Sequence, residues 1–560
     1  MIAWRHKAVL ILFVAALTVL CGRVVSLSVT ERDFLKEQGD LRSVRREVIP
    51  AMRGVIKDRH GEPLAVSTPV YGVWADPSRV ALTEEELGRL ARALDVSKAE
   101  ITGRIDRYRS KEFVYLKRRV DYAAAQRLVD ENIPQVYLQP EYRRYYPGAE
   151  TTAHIVGLTN LDDSGIEGIE LAYDGRLRGR QGGKVVLKDR LGNTVRDLEY
   201  LGAPVFGEDL DLSIDLSLQF TAYRELKSAI AGHQAESGSV VIADVASGEI
   251  LALVNQPSYN PNVGANHISG MRNRAVTDAY EPGSTIKPFT ALAALETGRY
   301  ESRTPIDTSP GYFRIGAKLI QDPVNRGVVT LKTAIQKSSQ VGFAKVALDM
   351  ENEAVFDVLR RARLGDYVGS GLPGEAQGHL DSAQLRYPVV KAALAYGYGL
   401  SVTPLQLAQA YSVLASHGMY RPLSILKRTQ GIPGEERVFD GSLTREVVEM
   451  MESVTAADGT AHGARVNGYR IAGKTGTARK VGPGGYDDRR HVAWFAGIAP
   501  VSDPKLVVVV MINEPQAGAT GGGAVAAPLF AQIAKRALPL MGVGPDEQLA
   551  GIHLTDRERG

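Results

Sequence analysis

The distribution of apolar and polar positions first sets the N-terminus apart. An uncharged apolar run covers residues 8–22, Arg23 interrupts it, and residues 24–29 continue it. This segment of about 22 residues can cross a bilayer core if the Arg23 side chain extends to the far surface. A cleaved signal peptide is the alternative, but the run is long for one and no small-x-small cleavage site follows it. We therefore predict a retained transmembrane anchor within residues 1–30.

Residues 31–225 combine short apolar segments with charged stretches. The patterns at residues 113–116 and 136–139 predict strands, and those at 83–94 and 123–130 predict short helices. This part holds no group of residues typical of an activated nucleophile. We interpret it as a structural or partner-binding module.

The C-terminal part has the pattern of a sheet combined with helices. Residues 239–245 and 250–254 predict a β-hairpin with Gly248 in its turn, and a mostly helical stretch covers residues 284–460. Three further strands and a last apolar helix are predicted at residues 469–472, 491–498, 506–512 and 524–538. Strands, then helices, then strands and a helix indicate a sheet covered by helices on both sides.

Composition excludes several classes of protein and site. The chain of 560 residues allows about two to four domains, and its net charge of +3 does not require a nucleic-acid partner. Cys21 is the only cysteine, so the chain has no internal disulfide and no multi-cysteine zinc site. With no HExxH pair and no histidine cluster at metal-binding spacing, we expect neither a metal nor another cofactor.

Three short motifs are candidates for chemistry: Ser284-Thr285-Ile286-Lys287, Ser338-Ser339-Gln340 and Lys474-Thr475-Gly476-Thr477. Ser-x-x-Lys alone is weak evidence, because it also occurs twice where we interpret it as structural, at Ser424/Lys427 and Ser502/Lys505. The first match differs in its surroundings, since a turn at residues 281–283 precedes it and a helix is predicted to start there. That places Ser284 and Lys287 on one face.

A serine hydroxyl becomes a good nucleophile only when a base takes its proton, and lysine can be that base only as a neutral amine. Burial and a second nearby cation both lower a lysine pKa. Lys287 is the candidate base and Lys474 the candidate second cation. The helix N-terminus would also favour negative charge that develops at Ser284.

A competing pattern overlaps the third motif. Residues 468–475 fit the phosphate-loop pattern G-x-x-x-x-G-K-[ST]. A phosphate loop opens a helix, whereas residues 477–485 contain Pro483 and three glycines, so we reject nucleotide binding. We expect the motif to follow a strand instead, with Gly476 allowing close approach of a substrate backbone and the neighbouring hydroxyls suited to a carboxylate.

Taken in order, the motifs resemble the S-x-x-K, S-x-N and K-T-G signatures of the penicilloyl-serine transferases. Other stretches are similar to class B penicillin-binding proteins, the last of them to the division-specific penicillin-binding protein 3 type: residues 53–61, 144–148, 153–157, 165–170 and 396–408. The resemblance implies an α+β fold with a transmembrane helix, an elongated mixed α/β pedestal, and a penicillin-binding transpeptidase domain whose antiparallel sheet is covered by helices. The implied boundaries for tail plus anchor, pedestal, transpeptidase domain and C-terminal tail are residues 1–30, 31–225, 226–545 and 546–560.

The resemblance also implies an activity, peptidoglycan D,D-transpeptidation in septal wall synthesis. Ser284 would attack the D-Ala-D-Ala carbonyl of a stem peptide, Lys287 would take the serine proton, and Ser338 would relay a proton to the leaving amine. The oxyanion hole would be the backbone N–H groups of Ser284 and Thr477. The substrate carboxylate would be bound by Lys474, Thr475 and Thr477. A second stem-peptide amine would resolve the acyl-enzyme, and β-lactam antibiotics would be trapped at the same serine.

The second motif departs from the family pattern, since Gln340 stands where the pattern has asparagine. Its amide lies one methylene further out, so we hypothesise a displaced substrate anchor and altered β-lactam affinity. Alternatively, Gln340 bonds only neighbouring backbone. Two other functions stay open. A β-lactamase or β-lactam sensor would lack the pedestal, and Gln340 is the one feature that hints at a catalytically weak divisome scaffold.

Charge does not settle orientation in the membrane. Arg5 and Lys7 precede the anchor, but five basic residues follow it closely: Arg32, Lys36, Arg42, Arg45 and Arg46. The resemblance implies a single pass through the bacterial inner membrane, with the catalytic part in the periplasm. It also implies partners, namely stem peptides, β-lactams, a polytopic glycan polymerase of the SEDS (shape, elongation, division and sporulation) family and other divisome proteins.

Overall fold

The structure is a computed structural model that describes residues 3–189, 194–263, 268–482 and 484–547. The chain forms two compact units. The first comprises Met1–Gly54, Ser67–Arg144 and Arg178–Glu208, and the second comprises Val55–Val66, Tyr145–Leu177 and Asp209–Gly560.

The described residues up to Asp211 form helices α1 Ala3–Val25, α2 Arg32–Ser43, α3 Glu84–Leu94, α4 Lys98–Arg107, α5 Tyr122–Glu131, α6 Ala153–Val156, α7 Gly168–Ala172 and α8 Asp174–Leu177. The strands of this part are β1 Val44–Ile49, β2 Ile56–Lys57, β3 Pro63–Ala75, β4 Val114–Val120, β5 Val136–Tyr145, β6 Gly182–Lys188, β7 Thr194–Gly202 and β8 Leu210–Asp211.

The later helices are α9 Leu216–Gly232, α10 Ile268–Met271, α11 Arg274–Thr277, α12 Lys287–Glu296, α13 Leu331–Gln336, α14 Gln340–Asp349, α15 Ala354–Arg361, α16 Pro388–Ala395, α17 Pro404–Ala415, α18 Gly441–Glu452 and α19 Gly522–Leu540. The later strands are β9 Ser237–Asp244, β10 Ile250–Gln256, β11 Pro305–Asp307, β12 Tyr312–Ile315, β13 Lys318–Gln321, β14 Val328–Thr330, β15 Met419–Tyr420, β16 Glu436–Arg437, β17 Ala472–Gly482, β18 Gly485–Ala499 and β19 Leu506–Asn513.

The first unit begins with the apolar N-terminal helix. Among the described residues, Trp4–Thr30 is the one helical segment that is long and apolar enough to cross a membrane, and none of its most apolar part is buried. Arg23, near the end of that segment, forms an ion pair with Glu31 at 2.7 Å. The arginine that interrupts the apolar run therefore has a carboxylate partner.

The rest of the first unit has a small core of its own. Helices α3, α4 and α5 and strands β3 and β4 contribute its buried side chains, among them Val73, Leu90, Ile101, Leu116 and Leu128. Helix α3 starts at a capping box in which Thr83 and Glu86 satisfy each other's backbone N–H groups. The strands predicted at 113–116 and 136–139 and the helices predicted at 83–94 and 123–130 are confirmed.

The second unit contains an antiparallel five-stranded sheet of order β10-β9-β19-β18-β17. All residues of β10 and β19 are buried, as expected for strands covered on both faces. Helices α9 and α19 pack together on the sheet, and α17 packs on β9, β18 and β19. Adjacent side chains of β18 point to opposite faces. Phe495 packs on Phe530 of α19, whereas the Trp494 indole N–H donates to the Glu281 carbonyl at 3.2 Å. The predicted sheet covered by helices on both sides is confirmed.

Two local predictions were wrong. Strand β17 begins at Ala472 rather than ending there, so the third motif lies inside the strand and not after it. Lys474 and Thr475 are buried because the segment that carries Ser284 packs on this strand, and a pattern of apolar residues could not reveal that. The stretch at 284–460 is also less helical than predicted, since the short strands β11 to β16 lie between its helices.

The helical layer on the sheet makes a stability prediction. Leu226 of α9 is fully buried, whereas Leu540, at the end of α19, is 59% exposed. We expect Leu226→Ala to lower the free energy of unfolding by about 2–5 kcal/mol, because it removes buried methyl groups and leaves a cavity. Leu540→Ala should change it by less than about 0.5 kcal/mol.

Urea unfolding followed by the fluorescence of buried Trp494 measures both variants, with Trp4 and Trp74 replaced by phenylalanine so that one reporter remains. Equal midpoints for the two leucine variants would contradict the assigned packing of α9 on the sheet.

Candidate active site

Ser284 lies in a short 3-10 turn, Gly283–Ile286, that leads directly into α12. The predicted turn followed by a helix is therefore confirmed. Two hydrogen bonds hold the turn, because the Thr285 hydroxyl donates to the Pro282 carbonyl at 2.9 Å and the Tyr411 hydroxyl donates to the Thr285 carbonyl at 2.7 Å. Ser284 is partly exposed, whereas Lys287 is fully buried.

Two glycines let neighbouring segments approach this turn closely. A Cβ atom on Gly476 of β17 would lie 2.4 Å from the Pro282 carbonyl oxygen. A Cβ atom on Gly397 would lie 1.8 Å from the Gly283 carbonyl oxygen. Any larger residue at either position would push the serine turn out of place. Gly476 therefore allows close approach of the chain's own backbone at this point, in addition to any role toward a ligand.

Ser338 stands between the two lysines of the other motifs. Its hydroxyl oxygen lies 3.1 Å from Lys287 Nζ and 2.9 Å from Lys474 Nζ. Lys287 Nζ also donates to the Ser338 backbone carbonyl at 2.5 Å. Both lysine side chains are completely buried. The structure thus brings together Ser284, Lys287, Ser338 and Lys474 from three separate stretches of chain, although the hydrogen bonds of Lys287 go to Ser338 rather than to Ser284.

Burial controls the protonation of this lysine pair. Desolvation lowers the pKa of Lys287 to about 7, and the negative charge of Asp322 opposes that effect. Desolvation, and then the charge of Lys287, hold the pKa of Lys474 well below its ordinary value. Two adjacent cations away from water repel each other. A neutral amine in this pair is therefore accessible near neutral pH.

The two threonines of the third motif differ in their surroundings. The buried Thr475 hydroxyl donates to the Thr460 hydroxyl at 3.3 Å. The Thr477 hydroxyl accepts from the backbone N–H of Gly522, the first residue of α19, at 3.0 Å. Thr477 itself is exposed, so its hydroxyl can also donate its hydrogen to a bound ligand. Thr460 was missed in the sequence because no motif connects it to Thr475.

Gln340 is the first residue of α14, and its side chain lines a cavity of about 900 Å³ together with Tyr396, Tyr398 and Tyr486. Among the described residues, that side chain forms no hydrogen bond, whereas its backbone N–H donates to Asp322 at 2.6 Å. Asp322 was missed in the sequence, because it lies 18 residues before Gln340 and only the fold brings it to the motif.

The two other Ser-x-x-Lys matches are structural in their contacts. The Ser424 hydroxyl donates to the Leu426 carbonyl at 2.9 Å, and the Ser502 hydroxyl donates to Asp546 at 2.7 Å. The phosphate-loop interpretation is also ruled out, since Lys474 lies within β17 and no helix starts there.

The chain matches the family model of the penicillin-binding protein transpeptidase domain over residues 238–535. It matches that of the penicillin-binding protein dimerisation domain over residues 48–212. The chain belongs to the penicillin-binding protein family. The resemblance inferred from the motifs is thereby confirmed.

Relatives and solved structures agree with this assignment. The peptidoglycan D,D-transpeptidase FtsI of Escherichia coli K12 is 43% identical, and the match covers 98% of this chain and 94% of the relative. The probable peptidoglycan D,D-transpeptidase PbpC of Pseudomonas aeruginosa is 39% identical, over 99% and 98%. Penicillin-binding protein 3 of Mycobacterium tuberculosis, solved with aztreonam, has a TM-score of 0.69 at 26% identity and covers 90% of this chain and 98% of its own.

The close packing at Gly476 makes a prediction about activity. Gly476→Ala should reduce the rate of penicillin acylation by about 10²-fold, because the serine turn has to move by a fraction of an ångström or more. Gly482→Ala is the matched control on the same strand, since its Cβ atom would meet nothing closer than 3.8 Å. Stopped-flow acylation with a fluorescent penicillin measures both, and equal rates would show that the turn tolerates displacement.

Proposed function

We propose that this chain is a peptidoglycan D,D-transpeptidase in which Ser284 is the acylated nucleophile. The observation that carries the proposal is the Ser338 hydroxyl placed between two fully buried lysines, 3.1 Å from Lys287 and 2.9 Å from Lys474, next to the turn that presents Ser284. A serine nucleophile needs a base that is unprotonated at working pH, and for lysine that form is the neutral amine. Burial provides that condition here without a histidine.

Lys287 is the proposed base. It lies one helical turn from Ser284, and its pKa of about 7 leaves a substantial neutral fraction at neutral pH. The neutral amine takes the Ser284 proton as the serine oxygen bonds to the carbonyl carbon of D-Ala-D-Ala. Ser338 relays a proton to the nitrogen of the leaving D-alanine as that amide bond breaks. An acyl-serine and free D-alanine result.

The oxyanion is proposed to form at the backbone N–H groups of Ser284 and Thr477. A Cβ atom on Gly283 would lie 3.5 Å from the Thr477 nitrogen, which supports the closeness of the two segments. Losing one such donor typically costs about 3–4 kcal/mol of transition-state stabilisation. Two donors at this place favour acyl transfer over a binding role alone.

The terminal carboxylate is proposed to bind at Lys474, Thr475 and Thr477, with Gly476 keeping the strand close. A bound carboxylate favours the protonated form of Lys474, and that positive charge in turn favours the neutral form of Lys287. Substrate binding would thereby prepare the base. A second stem-peptide amine then attacks the acyl-serine, forms the cross-link and releases the serine. A β-lactam instead forms an acyl-enzyme that deacylates slowly.

Labelling with a fluorescent penicillin tests the nucleophile. We expect the wild-type protein to form a stable adduct that mass spectrometry maps to Ser284, and Ser284→Ala to form none. Ser424→Ala is the matched control, because Ser424 belongs to another Ser-x-x-Lys sequence and should leave the adduct unchanged. Absence of any adduct on the wild-type protein at high drug concentration would favour the catalytically weak divisome scaffold.

Gln340 is proposed to anchor a substrate amide within the adjoining cavity. Gln340→Asn should change the acylation rate by about fivefold, the effect of one moved hydrogen bond of about 1 kcal/mol. Whether the acylation rate rises or falls should depend on the length of the amide side chain of the β-lactam. A panel of β-lactams measured against both proteins checks this, and an unchanged rate and profile would leave Gln340 without a role in substrate binding.

The domain order and cellular setting complete the proposal. We propose an anchor at residues 1–30, a pedestal at 31–225, a transpeptidase domain at 226–545 and a tail at 546–560, most of which lies outside the described residues. These boundaries follow chain order, whereas the compact units interleave along the chain.

We further propose that the protein acts in septal wall synthesis, with residues after the anchor in the periplasm and a SEDS-family polymerase and other divisome proteins as partners. The relatives named FtsI support the septal role. Protease added to spheroplasts tests the orientation, because it should remove the catalytic part while sparing cytoplasmic proteins.

A further inference from the structure

Asp322 follows strand β13 and reaches the turn that carries the second motif. One carboxylate oxygen accepts the backbone N–H groups of Gln340 at 2.6 Å and Val341 at 3.2 Å. The other oxygen accepts the Ser339 hydroxyl. Ser339 is also the N-cap of α14, since its hydroxyl oxygen accepts the Gly342 N–H at 2.9 Å. Asp322 therefore binds three consecutive residues that directly follow Ser338.

Ser338 needs such support because of its backbone conformation. Its φ angle of 58° lies in the left-handed region, which costs free energy for a residue with a side chain. This conformation lets both the Ser338 carbonyl and the Ser338 hydroxyl face Lys287 Nζ, at 2.5 and 3.1 Å. Contacts on the residues that follow hold the turn in this form.

Asp322 also acts on Lys287 through its charge. It is the anion whose charge raises the pKa of Lys287 against the effect of burial. Lys474 on β17 is the cation that faces the same group, and α14 presents the Phe343 ring at 5.9 Å. Several charged residues on or next to the helices packed on α12 have partners of their own, among them Lys345 with the Asp307 carbonyl, Lys337 with Asp458, Arg361 with Glu296 and Glu452 with Arg470.

We propose that Asp322 is a positioning residue of the transpeptidase: its carboxylate binds the three residues that follow Ser338 and thereby holds the Ser338 carbonyl and hydroxyl on Lys287. The inference rests on the proposed role of Lys287. Asp322 contacts neither Ser284 nor the strand of the third motif through any hydrogen bond among the described residues, so it acts through the Ser338 turn and through Lys287.

The pH dependence of acylation separates the effect of the Asp322 charge from the effect of the Asp322 hydrogen bonds. The base must be neutral, so the wild-type acylation rate should rise with pH through about 7, the pKa of Lys287. Asp322→Asn keeps the size and an acceptor oxygen but removes the charge that favours protonated Lys287. The midpoint of this rise should therefore move to lower pH by roughly one unit.

Asp440→Asn is the matched control. Asp440, like Asp322, accepts a backbone N–H at the start of a helix, from Ser442 of α18 at 2.7 Å, and its replacement should leave the midpoint unchanged. A midpoint for Asp322→Asn that equals the wild-type value, or moves to higher pH, would overturn the role of the charge.

Asp322→Glu tests the positioning role and also serves if the asparagine variant does not fold. It keeps the charge but displaces the carboxylate, so the plateau rate at high pH should fall about tenfold without a move of the midpoint to lower pH. An unchanged plateau would overturn the positioning role. Failure of the wild-type protein to acylate at Ser284 would instead refute the proposed function itself.

Discussion

Two lysine side chains buried against one serine hydroxyl are the constraint on which this site depends. Neither Lys287 nor Lys474 is exposed to water, and Ser338 is the group they share. Burying two full positive charges side by side is strongly unfavourable without partners. The arrangement is tolerable because at least one amine gives up its proton near neutral pH, and a neutral amine is what an attacking serine requires.

The packing of the second unit excludes water from the two lysines and fixes their positions. Strand β17 is held by β18, and α19 begins against Thr477. The turn before α14 places Ser338 against Lys287, and α14 itself contributes the Phe343 ring. Close contacts at Gly476 and Gly397 then leave the serine turn one position to occupy. The same packing therefore fixes the serine turn and keeps water from the lysines, since a displaced turn would expose them.

Much of this could be predicted from the sequence, for physical reasons. Strands with two buried faces and a long apolar helix leave patterns that apolar residues alone reveal, so the sheet and α19 were found. Motif order and context singled out Ser284, Lys287, Ser338 and Lys474 as candidates, and the fold brings them together. The start of β17 was missed because its buried residues are Lys474, Thr475 and otherwise only alanine and glycine, which leave no apolar strand pattern. Asp322 and Thr460 were missed because only the fold brings them to the motifs, and no spacing along the chain encodes that.

Coupling between the two lysines gives the site a dependence on its own substrate. Without a ligand, the surroundings of the two lysines do not supply enough negative charge to stabilise both of them in the protonated form. Asp322 is the anion that favours protonated Lys287. A carboxylate at Thr475 and Thr477 would supply compensation on the side of Lys474 instead. A proton that resides on Lys474 disfavours one on Lys287, so the base would become neutral when the peptide end is in place. In the proposed mechanism, the serine would therefore be most reactive when a peptide carboxylate is bound.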